Sequence, residues 1–181
     1  MQFEIVRALK EDVLELNNIM EVVTAGMEKA EWFISDDLSY IRGHIGNVPV
    51  AKEDSGFVLK AVTRENGSER IVGFFMVDFP GVTNRNLGTY LNMSEKELGL
   101  VAHMDSVGIL SEYRGHGLQY RCMEVAENII SHETDYRILL ATVHPDNKHS
   151  LQNAIARGYE VAAEITKGGI YRRFIMRKEI I

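Results

Sequence analysis

"SEYRGHGLQYR", residues 111–121, follows directly on the apolar run "HMDSVGIL" at 103–110 and leads into a segment with helical spacing. Gly115 and Gly117 stand one residue apart at that junction, with Arg114 just ahead of them. A tight turn accounts for one glycine. A backbone that must approach a bound anion accounts for both, because glycine lets the chain curl and removes the Cβ that would hold a phosphate away. The first N–H groups of the next helix lack partners within it and lie at the positive end of its dipole. A plain strand-to-helix turn is the other reading. The common nucleotide loops do not fit: G-x-x-x-x-G-K-[ST] is absent, as is a full G-x-G-x-x-G near the amino terminus.

Outward from the junction the chain alternates strand and helix patterns. "VAHMDSVGIL" (101–110) reads as a strand and residues 117–133 as a helix, with Leu118, Cys122, Val125, Ala126 and Ile129 on its apolar face. Arg121, Glu124 and Asn128 lie opposite. "RILLATVHP" (137–145) is a nearly uninterrupted apolar strand, as expected for one buried on both faces. Strand–helix–strand over 100–143 implies a parallel pair with a right-handed crossover. Upstream, "FEIVRAL" (3–9) is a strand, and Val13, Leu16, Met20 and Val23 carry a helix that starts from Lys10. A second helix is expected after Ser35 as its N-cap, with Asp36 and Asp37 in the first turn. "GFVLKAVTR" (56–64) and "RIVGFFMVDF" (70–79) form a hairpin around Asn66-Gly67.

Residues 79–99 are rich in turn formers and hold a short helix capped by Ser94 with Glu97 three residues on. Loops of this length are usually functional or mobile. Downstream, a helix from about Lys148 to Ala156 stops at Arg157-Gly158, and "YEVAAEIT" (159–166) and "IYRRFIMRKE" (170–179) are strands joined by Lys167-Gly168-Gly169. The predicted fold is one mixed α/β domain over residues 1–181, of order β-α-α-β-β-β-α-β-α-β-β. It has about seven mostly antiparallel strands with one parallel pair, flanked by about four helices.

The chain of 181 residues is 45% hydrophobic and 25% charged, enough for one domain with a real core. A formal charge of −6 disfavours nucleic-acid binding, which needs a basic footprint, and is compatible with a cationic substrate such as an amine. The single cysteine, Cys122, excludes an internal disulfide and points to a reducing compartment. No stretch is apolar for the length of a membrane span, and the start "MQFEIVRALKED" lacks signal-peptide form, so a cytoplasmic location is expected.

"VGILSEYRGHGLQ" (107–119) together with "VHPDNKHSLQNAIARGYE" (143–160) resembles the GNAT superfamily of acyl-CoA-dependent N-acyltransferases. Its pyrophosphate loop has the form Q/R-x-x-G-x-G/A, and Arg114, Gly117 and Gln119 fall on the first, fourth and sixth positions. Gln119 departs from the usual small residue. The resemblance covers roughly residues 55–178 by element order. It implies that the strand ahead of the loop splays from its neighbour and that its backbone at Val107 and Ile109 pairs with the pantetheine arm of coenzyme A. The loop from Arg114 through Gly115, His116, Gly117 and Leu118 to Gln119 would hold the pyrophosphate. Asn147 matches an asparagine that contacts the cofactor arm, with Ser150 at the small position three residues later; capping of the following helix is the other reading of Asn147.

The activity implied is acetyl transfer from acetyl-CoA to a primary amine, by direct transfer in a ternary complex and without a metal. Such an amine has a pKa near ~10.4 and must lose a proton first. Asp105 matches a position where some members carry a glutamate, and a carboxylate within an apolar strand is costly without a purpose or partner. An aspartate at the solvent edge of the sheet, or one held by an arginine, is the alternative. His103 and Ser106 are further candidate bases, and water is another route for the proton. The tyrosine that often protonates the departing thiolate is missing, since the last helix carries Asn153-Ala154 where the family has L-Y.

Trp32, Phe33 and Tyr40 lie in the region that walls the acceptor site in the family, with ordinary packing as the other reading. Residues 79–99 could narrow the open face, which favours a small-molecule amine; a peptide acceptor and a non-catalytic acyl-CoA sensor are the alternatives. A homodimer stays open. Cys122 lies on an apolar stripe and reads as core. His44, His132 and His149 have no metal-ligand spacing with a cysteine or carboxylate. Arg172, Arg173, Arg177 and Lys178 make the last strand basic, as on a solvated face or a protected edge. A contact to the coenzyme's 3′-phosphate or to a partner subunit is the sharper reading.

Overall fold

The computed structural model describes residues 2–33, 36–65, 67–167 and 170–181. Its strands form one seven-stranded sheet in the order β1-β2-β3-β4-β5-β7-β6. β1 (Phe3–Arg7), β2 (Gly56–Glu65), β3 (Ser68–Asp78) and β4 (Val101–Ile109) are successive antiparallel neighbours. β4 runs parallel to β5 (Ile138–Val143), and β7 (Tyr171–Glu179) inserts antiparallel between β5 and β6 (Glu160–Lys167). Among the described residues five α-helices accompany the sheet: α1 (Val13–Ala25), α2 (Leu38–Gly43), α3 (Glu95–Leu98), α4 (Leu118–Glu133) and α5 (Lys148–Ala156). No described helix is long and apolar enough to cross a membrane.

Apolar periodicity sets most of this arrangement. Leu16, Ile19, Met20 and Val23 line the buried side of α1, which packs on β3 and β4. The buried stripe of α4 is Leu118, Cys122, Met123, Ala126, Glu127 and Ile130. Val125 and Ile129, expected in that stripe, are only partly buried, because the stripe turns toward Met123 and Glu127. Glu127 is tolerated there because Arg157 and Lys178 both donate to its Oε2.

Three expectations change in the structure. Ser35 lies outside the described residues, and α2 is capped by Asp37, whose Oδ1 accepts Tyr40 N–H at 2.9 Å. Residues 79–99 are docked rather than loose. Leu87 joins Val101, Ile138, Leu140 and Ile175 in a second apolar cluster. The fully buried Asn86 donates to the carbonyls of Gly81 and Leu98 and accepts from Gly88 N–H. The Ser94–Glu97 capping box is present at α3. Lastly, β7 is an interior strand, so its basic residues do not protect an edge. Arg173 is buried and donates to the carbonyl of Glu31, whereas Arg172, Arg177 and Lys178 pair with Glu164, Glu179 and Glu127.

Candidate active site

The parallel pair at the centre of the sheet is short. β4 and β5 pair only at Val101–Ile138, Ala102–Leu139 and His103–Leu140, although β4 continues to Ile109 and β5 to Val143. Beyond His103 the strands separate, and backbone groups of β4 that a neighbour would otherwise satisfy face a gap. Across β3, Phe75 faces Val107 and Val77 faces Met104, so Asp105 and Ser106 together oppose Met76 alone. This is a β-bulge, which bends the strand and re-aims its side chains. It explains why Asp105 and Ser106, adjacent in sequence, both border the same cavity.

That cavity has a volume of about 740 Å³. One wall includes Val107, Ile109, Arg114, Gly115, Gly117, Leu118 and Gln119, with Asn147 and Ser150 at the start of α5 also lining the cavity. Gly115 and Gly117 have φ of 83° and 67°, in the left-handed region, and a Cβ at either would meet no protein atom within 4 Å. The glycines therefore keep open space above the first turn of the 16-residue α4. A pyrophosphate fits this cradle by shape and by donor chemistry. Arg114 stands beside it with its Nε donating to the Ile109 carbonyl at 3.2 Å. His116 turns elsewhere, its ring centroid 5.1 Å from that of Phe3. Asn147 caps α5, its Oδ1 accepting Ser150 N–H at 3.2 Å, and it also borders the cavity.

On the other side the cavity meets Met27, Trp32, Phe33, Asp36, Asp105 and Arg173. Ser106 Oγ donates to Asp36 Oδ2 at 2.8 Å. Asp36 also borders the cavity, a position the sequence pattern hides because the residue reads as part of a helix that begins only at Leu38. Asp105 is open to the cavity yet flanked by protein, and that desolvation raises its pKa above the ordinary carboxylate value, aided by the Asp78 charge. Tyr40 does not border the cavity; its hydroxyl donates to Asp105 Oδ2 at 3.0 Å.

His103 is buried, and its hydrogen bonds fix its state. Leu87 N–H donates to Nε2 at 3.0 Å, so Nε2 is the bare nitrogen, and Nδ1 then donates to Asp78 Oδ2 at 3.1 Å. Neither nitrogen is left for an acceptor amine, and His103 does not border the cavity. On α5, Ala154 is buried, while Asn153 borders the cavity. Among the described residues no group of three or more His, Cys, Asp or Glu could hold a metal ion.

A splayed parallel pair, a strand bulge and a glycine cradle at a helix N-terminus around one cavity define the scaffold of an acyltransferase. The sequence profile of the "Acetyltransferase (GNAT) family" matches residues 27–159, and the chain belongs to that family. It is an acyltransferase of the acetyl-CoA-using kind. Solved structures share the fold over nearly the whole chain. The GNAT-family acetyltransferase from Streptococcus pneumoniae superposes with a TM-score of 0.69 at 18% identity, covering 99% of this chain and 100% of that one. Arabidopsis thaliana NAA60, solved with acetyl-CoA, gives 0.74 at 14% identity over 99% and 100% of the two chains. The protein yncA of Salmonella typhimurium, solved with its cofactor acetyl-CoA, gives 0.66 at 15% identity over 98% and 93%. A search of curated proteins finds no match to the chain.

Proposed function

We propose that the chain, as a single domain, transfers the acetyl group of acetyl-CoA to a primary amine of a small molecule, with Asp105 as the base. The observation that carries the reading is Asp105 on the bulge of β4, at the cavity edge beyond the point where β4 leaves β5. The Arg114–Gln119 loop would hold the pyrophosphate through N–H groups of the α4 N-terminus, and the β4 backbone at Val107 and Ile109, beyond its pairing with β5, would hold the pantetheine arm. When bound, acetyl-CoA supplies the activated thioester carbonyl. Asp105 accepts the ammonium proton, directly or through one water, and its raised pKa brings it closer to that task than an ordinary aspartate. A free N–H of the splayed strand donates to the oxygen on which charge develops. The thiolate leaves without a tyrosine, which its modest basicity permits, a thiol having a pKa near ~8.5.

Asp36 and Asp105 on one wall favour a cationic acceptor, in keeping with the net charge of −6. Arg173 holds the Glu31 carbonyl and so draws the segment after α1 over the end of β7, while residues 79–99 are docked beside β4. The first, which sets Trp32 and Phe33 at the cavity wall, favours a small molecule over a peptide. The test is release of free coenzyme A from acetyl-CoA across a panel of alkylamines, amino acids and short peptides. Turnover confined to the small amines, lost by about 10²-fold in Asp105→Asn, supports the reading. Preference for peptides overturns the acceptor class. Full turnover in Asp105→Asn overturns the base.

A further inference from the structure

We propose that Tyr40 is a positioning residue for Asp105, held in place by His44 and, through Asp78, by the segment that follows β3. The proposal rests on the reading of Asp105 as the base.

Tyr40 is held at several points. Its N–H donates to Asp37 Oδ1 at 2.9 Å, and its carbonyl accepts from His44 Nδ1 at 2.8 Å. Its ring lies 4.1 Å from the His44 ring, centroid to centroid. Its hydroxyl then reaches Asp105 Oδ2, and among the described residues no other side chain hydrogen-bonds that carboxylate. One hydrogen bond to one oxygen restrains the carboxylate and leaves the other oxygen for the acceptor.

His44 is itself locked. Nδ1 faces a carbonyl and Nε2 faces Asp78 Oδ1 at 3.0 Å. Both neighbours only accept, so both nitrogens carry hydrogen and the ring is an imidazolium. Its charge lies against the Tyr40 ring, a favourable cation–π placement. Burial opposes that charge, but Asp78, the Tyr40 carbonyl and Asp105 outweigh it and raise the His44 pKa. The buried Asp78 carboxylate also takes His103 Nδ1 at 3.1 Å and Arg85 at 3.3 and 3.4 Å. Arg85 belongs to residues 79–99, as does Leu87, whose N–H orients His103. The docked segment, α2, β3 and β4 are thereby joined behind one carboxylate. The proposed mechanism leaves His44, Asp78 and Arg85 unused, and positioning gives all three a role.

The charged and titratable groups around Asp105 are Tyr40 and His44 from α2, Asp78 from β3 and His103 from β4, with Asp36 ahead of α2 and Arg85 after β3 next to Tyr40. The Tyr40 hydroxyl stabilises the ionised carboxylate, as does the His44 charge, against desolvation and the Asp78 charge. Removing that hydroxyl leaves the carboxylate harder to ionise.

The experiment compares Tyr40→Phe, His44→Gln and Asp105→Asn, using coenzyme A release with the best acceptor of the amine panel. Tyr40→Phe keeps the ring and removes only the hydroxyl. It is expected to bind acetyl-CoA with unchanged affinity, to lose about tenfold in kcat, and to move the acid limb of the kcat profile to higher pH. His44→Gln, which unlocks the ring, shifts the limb in the same direction. If Asp105→Asn is inactive but the limb stays in place in Tyr40→Phe, the positioning role is overturned and the base stands. If Asp105→Asn keeps full kcat, the base reading falls and the positioning role falls with it.

Discussion

Asn153 donates its side-chain amide to Gln119 Oε1 at 3.2 Å, and Gln119 Nε2 in turn donates to Ser150 Oγ at 3.2 Å, so α5 is fastened to the first turn of α4 beside the cavity. In the sequence these were separate oddities: a large residue where the loop pattern has a small one, and Asn153-Ala154 where a tyrosine is usual. In space they are one feature. Gln119→Ala removes two partly buried hydrogen bonds and should cost about 1–2 kcal/mol of stability in thermal melts. Acetyl-CoA affinity by calorimetry should weaken only about threefold, because the backbone N–H groups of the loop remain. A loss of hundredfold would show that the Gln119 amide itself grips the coenzyme.

Gly117→Val tests the cradle more severely. At φ of 67° a β-branched residue is strained, by roughly 1–2 kcal/mol, and its side chain would occupy the open space above the helix N-terminus. Calorimetry should show acetyl-CoA binding abolished while the far-UV circular dichroism stays native. Unchanged affinity in the folded variant would remove the pyrophosphate from this loop.

The elements legible in the sequence were those whose information is local. The apolar run of β5, the capping box at Ser94 and the glycines at 115 and 117 each declare themselves within a few residues. What escaped depends on strands and segments far apart in the chain. The bulge at Asp105 and Ser106 exists only against Met76 of β3, and the interior position of β7 follows from its insertion between β5 and β6. His103 looked attractive as a base by residue type alone, and only Leu87 and Asp78, 16 and 25 residues away in sequence, settle its tautomer. Asp78 had no signal beyond lying near the end of an apolar strand.

Cys122 is fully buried, and desolvation pushes its thiol up to about 12, so it is held as a small apolar group and not as a thiolate. Cys122→Ala should cost about 1–2 kcal/mol of lost burial, read in denaturant melts. Turnover should survive in the folded variant. An acetyl thioester trapped at Cys122, or complete loss of activity without unfolding, would replace direct transfer with a ping-pong route.

Asp78 and Asp105 are carboxylates of one network, yet folding moves them in opposite directions, and stability against pH should separate them. Burial alone would raise Asp78, but hydrogen bonds from His103 and His44 and the Arg85 charge hold it well below the usual carboxylate range. A depressed pKa means the folded state favours the ion, so this stabilisation is present above about pH 4 and is lost as the pH falls through the folded value. Asp78→Asn should therefore cost about 3–5 kcal/mol near neutrality, with the gap from the parent protein narrowing in acid. Desolvation sets the opposite sign at Asp105, where folding disfavours the ion. The cost of keeping it ionised is present at neutral pH and disappears below the ordinary aspartate value near ~3.9, where the unfolded chain is protonated too. Asparagine keeps an oxygen for the Tyr40 hydroxyl and carries no charge. Asp105→Asn should melt at or above the temperature of the parent protein at pH 7, and the difference should vanish in acid, while turnover falls. A destabilised Asp105→Asn at pH 7 would mean that the strand carboxylate is there to hold the fold and not to take a proton.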